Sequence, residues 1–235
     1  MIFTDLPYNV NYSQPSIRPG RAGRKILNDN LGDAFELFLA DACRNLIEVS
    51  QGAIYICMSS SEIGRLKRVF VEAGGHWSTF LIWAKNTFTL CRSDYQRQYE
   101  TILYGWAEGS NHYWCGARDQ GDVWQVNKPS VNELHPTQKP VELMERAISN
   151  SSKRGGVVLD PFGGSGSTLI ACEKTGRPGR LIELDPRYVD TMVLRWQEFT
   201  GRAAVLEGGG QTLPEVAEIR SREASECPVP LPATC

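Results

Sequence analysis

What this 235-residue sequence lacks narrows it first. No apolar run approaches the ~20 residues that a membrane-spanning helix needs, and the opening residues carry no signal-peptide pattern. Seven cysteines (43, 57, 91, 115, 172, 227 and 235) make an odd number with no CxxC pair. That speaks against a disulfide framework and a zinc site, and for a reducing compartment, so the expected location is the cytoplasm. Histidine is scarce, and His76, His112 and His135 stand apart, so no metal site is expected. Acidic residues are missing from Leu6 to Asn28, whereas Arg18, Arg21, Arg24 and Lys25 fall within eight residues rich in Gly and Pro. That stretch reads either as a solvated loop or as a flexible basic arm that contacts phosphates. The net charge is only −2, so the chain as a whole is no polycation.

What is present is ordinary globular material, 41% hydrophobic and 22% charged, long enough for one sizeable domain or for two small ones. Seven short apolar runs read as strands: 1–4, 53–58, 79–84, 100–106, 157–162, 180–185 and 203–207. Between them, helical spacing recurs over 33–49, 61–73, 141–152, 167–175 and 188–200, with stops at Gly74-Gly75, Gly176 and Gly201. Strands alternating with helices predict an α/β fold with a mostly parallel sheet covered on both faces. One domain is expected over 1–222, with an irregular, aromatic insertion at about 86–134. Residues 223–235 read as a disordered tail.

The stretch "VVLDPFGGSGSTLIACEKTG" at 157–176 orders a buried strand, a tight glycine turn and a helix. Such a turn lets a ligand approach bare backbone and the positive end of a helix. A dinucleotide fingerprint fails here, because Leu169 stands at the third glycine position. No Gly-Lys-Ser/Thr follows, so a phosphate-binding P-loop fails as well. The next strand ends in "IELD", which puts Glu183 where an acid accepts hydrogen bonds from ribose hydroxyls. The pattern suits a nucleoside with no pyrophosphate.

"DPFGGSGST" and "IELDPRY", preceded by "HPTQKPVELMERAI", resemble the S-adenosylmethionine site of amino-group DNA methyltransferases. "DLPY" at 5–8 is similar to their Asp-Pro-Pro-Tyr motif, and its place ahead of the glycine turn matches the permuted, beta group. The resemblance implies a seven-stranded Rossmann-like methyltransferase sheet, circularly permuted, with the run at 1–4 as the fourth strand and that at 157–162 as the first. It implies a site-specific enzyme that methylates N6 of a flipped adenine in double-stranded DNA, of the kind found in restriction–modification systems. The alternatives are a cytosine-N4 enzyme and a weakened DNA- or cofactor-binding relic, the latter because Leu6 replaces the usual second proline. The family often forms dimers.

By the same resemblance, Asp5 and the Leu6 carbonyl accept the N–H groups of the amine, Pro7 holds that carbonyl, and Tyr8 stacks on the base. Thr137 and Lys139 lie near the methionine part of the cofactor, Lys139 facing its carboxylate. Asp160 contacts the methionine amine and Phe162 lines the pocket. Gly163, Gly164 and Gly166 give backbone room, Ser165 and Thr168 offer hydroxyls, and Glu183 takes the ribose. DNA contacts are expected from Arg18, Arg21, Arg24 and Lys25 and from Arg92 and Arg118 in the insertion. Cytosine-C5 chemistry is set aside, since no cysteine follows a proline.

Overall fold

The computed structural model describes residues 1–11, 13–14, 24–90, 94–128 and 138–226. They fall into two compact units that divide between Met192 and Val193.

The first unit is built on a seven-stranded sheet. Its strands are β1 (Ile2–Asp5), β4 (Ile54–Met58), β5 (Gly75–Thr89), β6 (Arg97–Ala107), β7 (Val123–Gln125), β8 (Val158–Asp160) and β9 (Gly179–Leu181). A separate two-stranded ribbon pairs β2 (Ser13–Gln14) with β3 (Arg24–Lys25). The large sheet runs β7-β5-β6-β4-β1-β8-β9, and only β6 lies antiparallel to its neighbours β4 and β5.

Side-chain alternation along the strands splits the core into two layers. Phe3, Tyr55 and Cys57 face one side, packed on Leu143, Met144, Ala147 and Ile148 of α3 (Val141–Ser151) and on Ala171 and Cys172 of α4 (Ser167–Thr175). Ile2, Ile54, Ile56 and Met58 face the other. They pack on Phe35, Leu39, Cys43 and Leu46 of α1 (Phe35–Val49) and on Leu66, Val69 and Phe70 of α2 (Ile63–Glu72). Two further helices follow, α5 (Pro186–Thr200) and α6 (Leu213–Glu226). No helix among the described residues is long and apolar enough to cross a membrane.

The sequence predicts seven strands, and the sheet has seven, but the last differs. Residues 203–207 are not a sheet strand; only Val205 forms a bridge, to Thr212. Val205 and Leu206 are more than half exposed, so their apolar character is not spent on a sheet core. The seventh strand is instead β7, inside the stretch read as an irregular insertion. There Trp124 and Val126 are buried while Val123 and Gln125 point outward, and Trp83 Nε1 donates to the Val126 carbonyl at 2.7 Å. The helix α6 likewise occupies a region in which no helix was predicted, and it reaches into the expected tail; residues 227–235 lie outside the described residues.

Candidate functional site

Chain connections leave the sheet in opposite directions on either side of the β1/β8 pair. A sheet of this kind opens a crevice at the carboxyl ends of the strands at that point. Asp5 ends β1 and Asp160 ends β8, so both carboxylates sit at the crevice floor. The crevice is a cleft of about 260 Å³ lined by Asp5, Leu6, Pro7 and Tyr8 from the chain's start. Across it lie Lys139, Asp160, Phe162, Gly163, Gly164, Ser165, Thr168 and Glu183. The segments quoted from opposite ends of the first unit thus share one cavity.

On the glycine side, the turn is tightened by backbone bonds from Gly163 N to the Ile182 carbonyl at 2.8 Å and from Gly166 N to the Gly163 carbonyl at 2.8 Å. Gly166 has a φ of +78° and caps α4 rather than lining the cleft. A Cβ there would also stand 2.5 Å from Met192 Cγ, so two independent reasons require glycine. The Glu183 carboxylate accepts the Gly164 N–H and the Asp185 N–H, each at 2.8 Å, which fixes it at the cleft wall. Exposed aliphatic residues flank it, Ile182 at 62% and Leu184 at 66%, and both line the cleft.

Asp160 is only 3% exposed. Its carboxylate accepts from Thr4 Oγ1 at 2.9 Å, Thr168 Oγ1 at 2.6 Å and the Phe162 N–H at 3.1 Å. Burial pushes this carboxyl up against the pull of those donors, to about 6. The Thr4 and Thr168 bonds tie β1 and α4 together through β8. Phe162 packs edge-on against Phe38 of α1 at 6.0 Å between ring centroids.

On the "DLPY" side, the Leu6 side chain is 2% exposed and belongs to the core layer with Ile2, Phe35 and Leu39. The loop's exit is held by Asp29, itself 2% exposed, whose Oδ1 accepts the Tyr8 N–H at 2.8 Å and the Val10 N–H at 3.4 Å. Asn9 sits at φ 57°, in the left-handed region that asparagine tolerates, and its Oδ1 accepts the Leu31 and Gly32 N–H groups.

Lys139 is where the sequence alone is least informative. Its resemblance-based role is to face a cofactor carboxylate. Here its ammonium, 5% exposed as a residue, lies 2.7 Å from Asp5 Oδ2 and 3.1 Å from Glu100 Oε2. Glu100, on β6, also pairs with Lys85 of β5 at 2.6 Å. The Tyr8 hydroxyl lies 2.9 Å from both Asp5 Oδ1 and Glu100 Oε2. Burial pushes the Asp5 carboxyl up and outweighs the nearby Lys139 charge. Burial also lifts Glu100, but the Lys139 and Lys85 ammonium groups together prevail and hold it at about 2. Lys139 is destabilised by its own burial, yet Asp5 and Glu100 keep it firmly protonated. Glu100, Lys85 and Asp29 carry no motif and were not singled out in the sequence. A charged residue within an otherwise apolar strand, as in "YETILYGW", is the one signal that could have flagged Glu100.

Arg118 is exposed and does not line the cleft. Arg24 and Lys25 lie on β3, and Arg18, Arg21, Arg92 and Thr137 lie outside the described residues. Among the described residues no group of His, Cys, Asp or Glu is arranged to hold a metal ion.

The chain is similar to known proteins. The Type II methyltransferase M.Cfr9I of Citrobacter freundii is 31% identical over 145 residues, 57% of this chain and 48% of that protein. The chain thus spans about half the length of this relative. The Type II methyltransferase M2.MboI of Moraxella bovis is 27% identical over 225 residues, covering 85% of this chain and 81% of that one. A crystal structure of the M1.HpyAVI–SAM complex shares the fold, with a TM-score of 0.64 at 24% identity over 83% of this chain and 87% of that one. Residues 1–194 match the family model for N6 and N4 methyltransferases, described as DNA methylase, and the chain belongs to that family.

Proposed function

We propose that this chain transfers a methyl group from S-adenosylmethionine to the exocyclic N6 of an adenine flipped out of double-stranded DNA. The observation that carries the reading is the single cleft shared by the Asp5 carboxylate and the glycine turn with Glu183. A base and a methyl donor in one cavity need those two halves side by side.

The residues present fit the cofactor. Glu183 is already oriented by two backbone N–H groups and keeps lone pairs for a ribose diol. Ile182 and Leu184 offer exposed aliphatic surface beside it for a flat purine ring. When bound, S-adenosylmethionine supplies an electrophilic methyl group on a sulfonium.

The chain's own residues prepare the acceptor. An exocyclic amine is a weak nucleophile because its lone pair is spread into the ring. Asp5 and the Leu6 carbonyl accept its two N–H bonds, which favours a pyramidal nitrogen with a localised pair. Pro7 limits φ to about −65° and so fixes the direction of the Leu6 carbonyl. The Tyr8 ring stacks on the extruded base and offsets on the order of 1–3 kcal/mol of the lost duplex stacking. The proton released from nitrogen is received at Asp5, which burial makes a better base than an exposed carboxylate. Positioning supplies most of the acceleration.

Incubating DNA with isotopically labelled cofactor and digesting it to nucleosides tests this. Label is expected on N6-methyladenine and is expected to disappear with Asp5→Ala. Label on N4-methylcytosine would favour the second reading, which the family match equally embraces. Cofactor binding with no transfer, restored by Leu6→Pro, would leave the relic.

A further inference from the structure

Four charged groups and one hydroxyl meet at the acceptor end of the cleft, and the chemistry assigned to Asp5 uses only one of them. Lys139 bridges Asp5 and Glu100, and Lys85 backs Glu100 from the neighbouring strand. Their formal charges cancel. The Tyr8 hydroxyl has one proton and two carboxylate acceptors at the same distance, so it can serve only one at a time. With the hydroxyl turned toward Asp5, that carboxylate has a donor on each oxygen. With it turned toward Glu100, Asp5 Oδ1 is released while the Tyr8 ring need not move.

We propose that Glu100, braced by Lys85, is a positioning residue for methyl transfer: it shares the Lys139 ammonium and accepts the Tyr8 hydroxyl hydrogen bond, which frees Asp5 Oδ1 for an amine N–H. The inference rests on the reading of Asp5 given above. It assigns Lys139 to the methyl-acceptor half of the site. Without Glu100, Lys139 would pair with Asp5 alone, and the Tyr8 hydroxyl would stay on Oδ1. The ionisable groups acting on Asp5 are Lys139, Glu100 and Tyr8, and Cys57, its register partner on β4, and Asp160 on β8 feel its charge in turn. Burial raises Cys57 well above its usual range, so it stays a neutral thiol.

Glu100→Gln and Lys85→Met in the full chain test this through opposite signs. Loss of the Glu100 charge leaves Lys139 wholly to Asp5, so Asp5 is expected to titrate at lower pH. Loss of Lys85 draws Lys139 toward Glu100, so Asp5 is expected to titrate at higher pH. The Asp5 carboxyl carbon resonance, followed against pH, reads both. Single-turnover transfer is expected to fall about tenfold in Glu100→Gln, with the acid limb of its pH profile shifted the same way as Asp5. Affinity for S-adenosylhomocysteine, measured by calorimetry, is expected to change less than twofold. Equal losses of rate and of S-adenosylhomocysteine affinity would put the cluster in the cofactor half and overturn the proposal, as would an Asp5 titration unmoved by either variant. Either variant decides if the other fails to fold. If the unaltered chain transfers no methyl group at all, the proposed function fails, and the Asp5 resonance still judges Glu100 separately.

Discussion

Leu6 has two tasks that fall on different atoms. Its carbonyl is the assigned acceptor for the amine, while its side chain fills a place in the core beside Phe35 and Leu39. The usual proline would restrict φ at this point; here burial of the leucine side chain and the Asp29 bond to Tyr8 N–H fix the loop by other means. Leu6→Ala is accordingly expected to cost about 2–4 kcal/mol in urea denaturation. Leu6→Pro is expected to lower stability without raising the transfer rate; a faster Leu6→Pro enzyme would refute that account. Asp160 makes a prediction of opposite character. Its carboxyl holds a proton up to about pH 6 when folded, against an ordinary value of 3.8. Between those values the native state binds more proton, so this group's contribution to stability falls as pH rises, by on the order of 2–3 kcal/mol. Asp160→Asn should remove that slope. Chemical denaturation of both proteins at pH 4, 5 and 6 checks it, and a difference that does not change with pH sinks it.

The glycine turn and α4 are a single device in which backbone geometry matters more than any side chain. Gly166→Ala would force a Cβ into a left-handed residue and against Met192. The expected loss is about 1–3 kcal/mol, read as a lowered melting temperature, together with weaker cofactor binding in calorimetry. Unchanged stability would show that the turn relaxes freely. The elements of this region were the most legible in the sequence. All five helices read from apolar spacing appear with ends within two residues, and their stops fall at or next to a glycine or an extended residue. The misses have physical causes. In β7 the in–out alternation of Val123, Trp124, Gln125 and Val126 is too short to stand out from the surrounding glycines and polar residues. Residues 203–207 have the composition of a strand but no sheet partner beyond one bridge. The motif residues that line the cleft stand out in the sequence because they fall in short local patterns. Glu100, Lys85 and Asp29 make their contacts across the fold, and beyond the lone charge within the Glu100 strand, single-chain spacing carries no trace of them.

Taken as a whole, a chain of net charge −2 cannot rely on a general positive field to hold DNA. On the proposed function, binding would come from local cations and from the cavity that would receive the base, and the stretches available for reading sequence are small. DNA methylated by this chain and then sequenced is expected to carry marks at short or relaxed targets. A long, strictly required site would contradict that. One bond of the first unit has a further consequence. Thr4 donates to Asp160 across 156 positions of sequence, and β1 lies between β4 and β8. On the ribosome, β1 therefore emerges long before either strand that flanks it, with Ile2, Phe3 and Leu6 still in water. A nascent chain halted short of β8 leaves one edge of an interior strand uncovered, which makes it a natural client for chaperones that bind apolar segments. The cleft cannot close until Asp160 and Glu183 have been made, although Asp5 precedes both by well over half of the first unit.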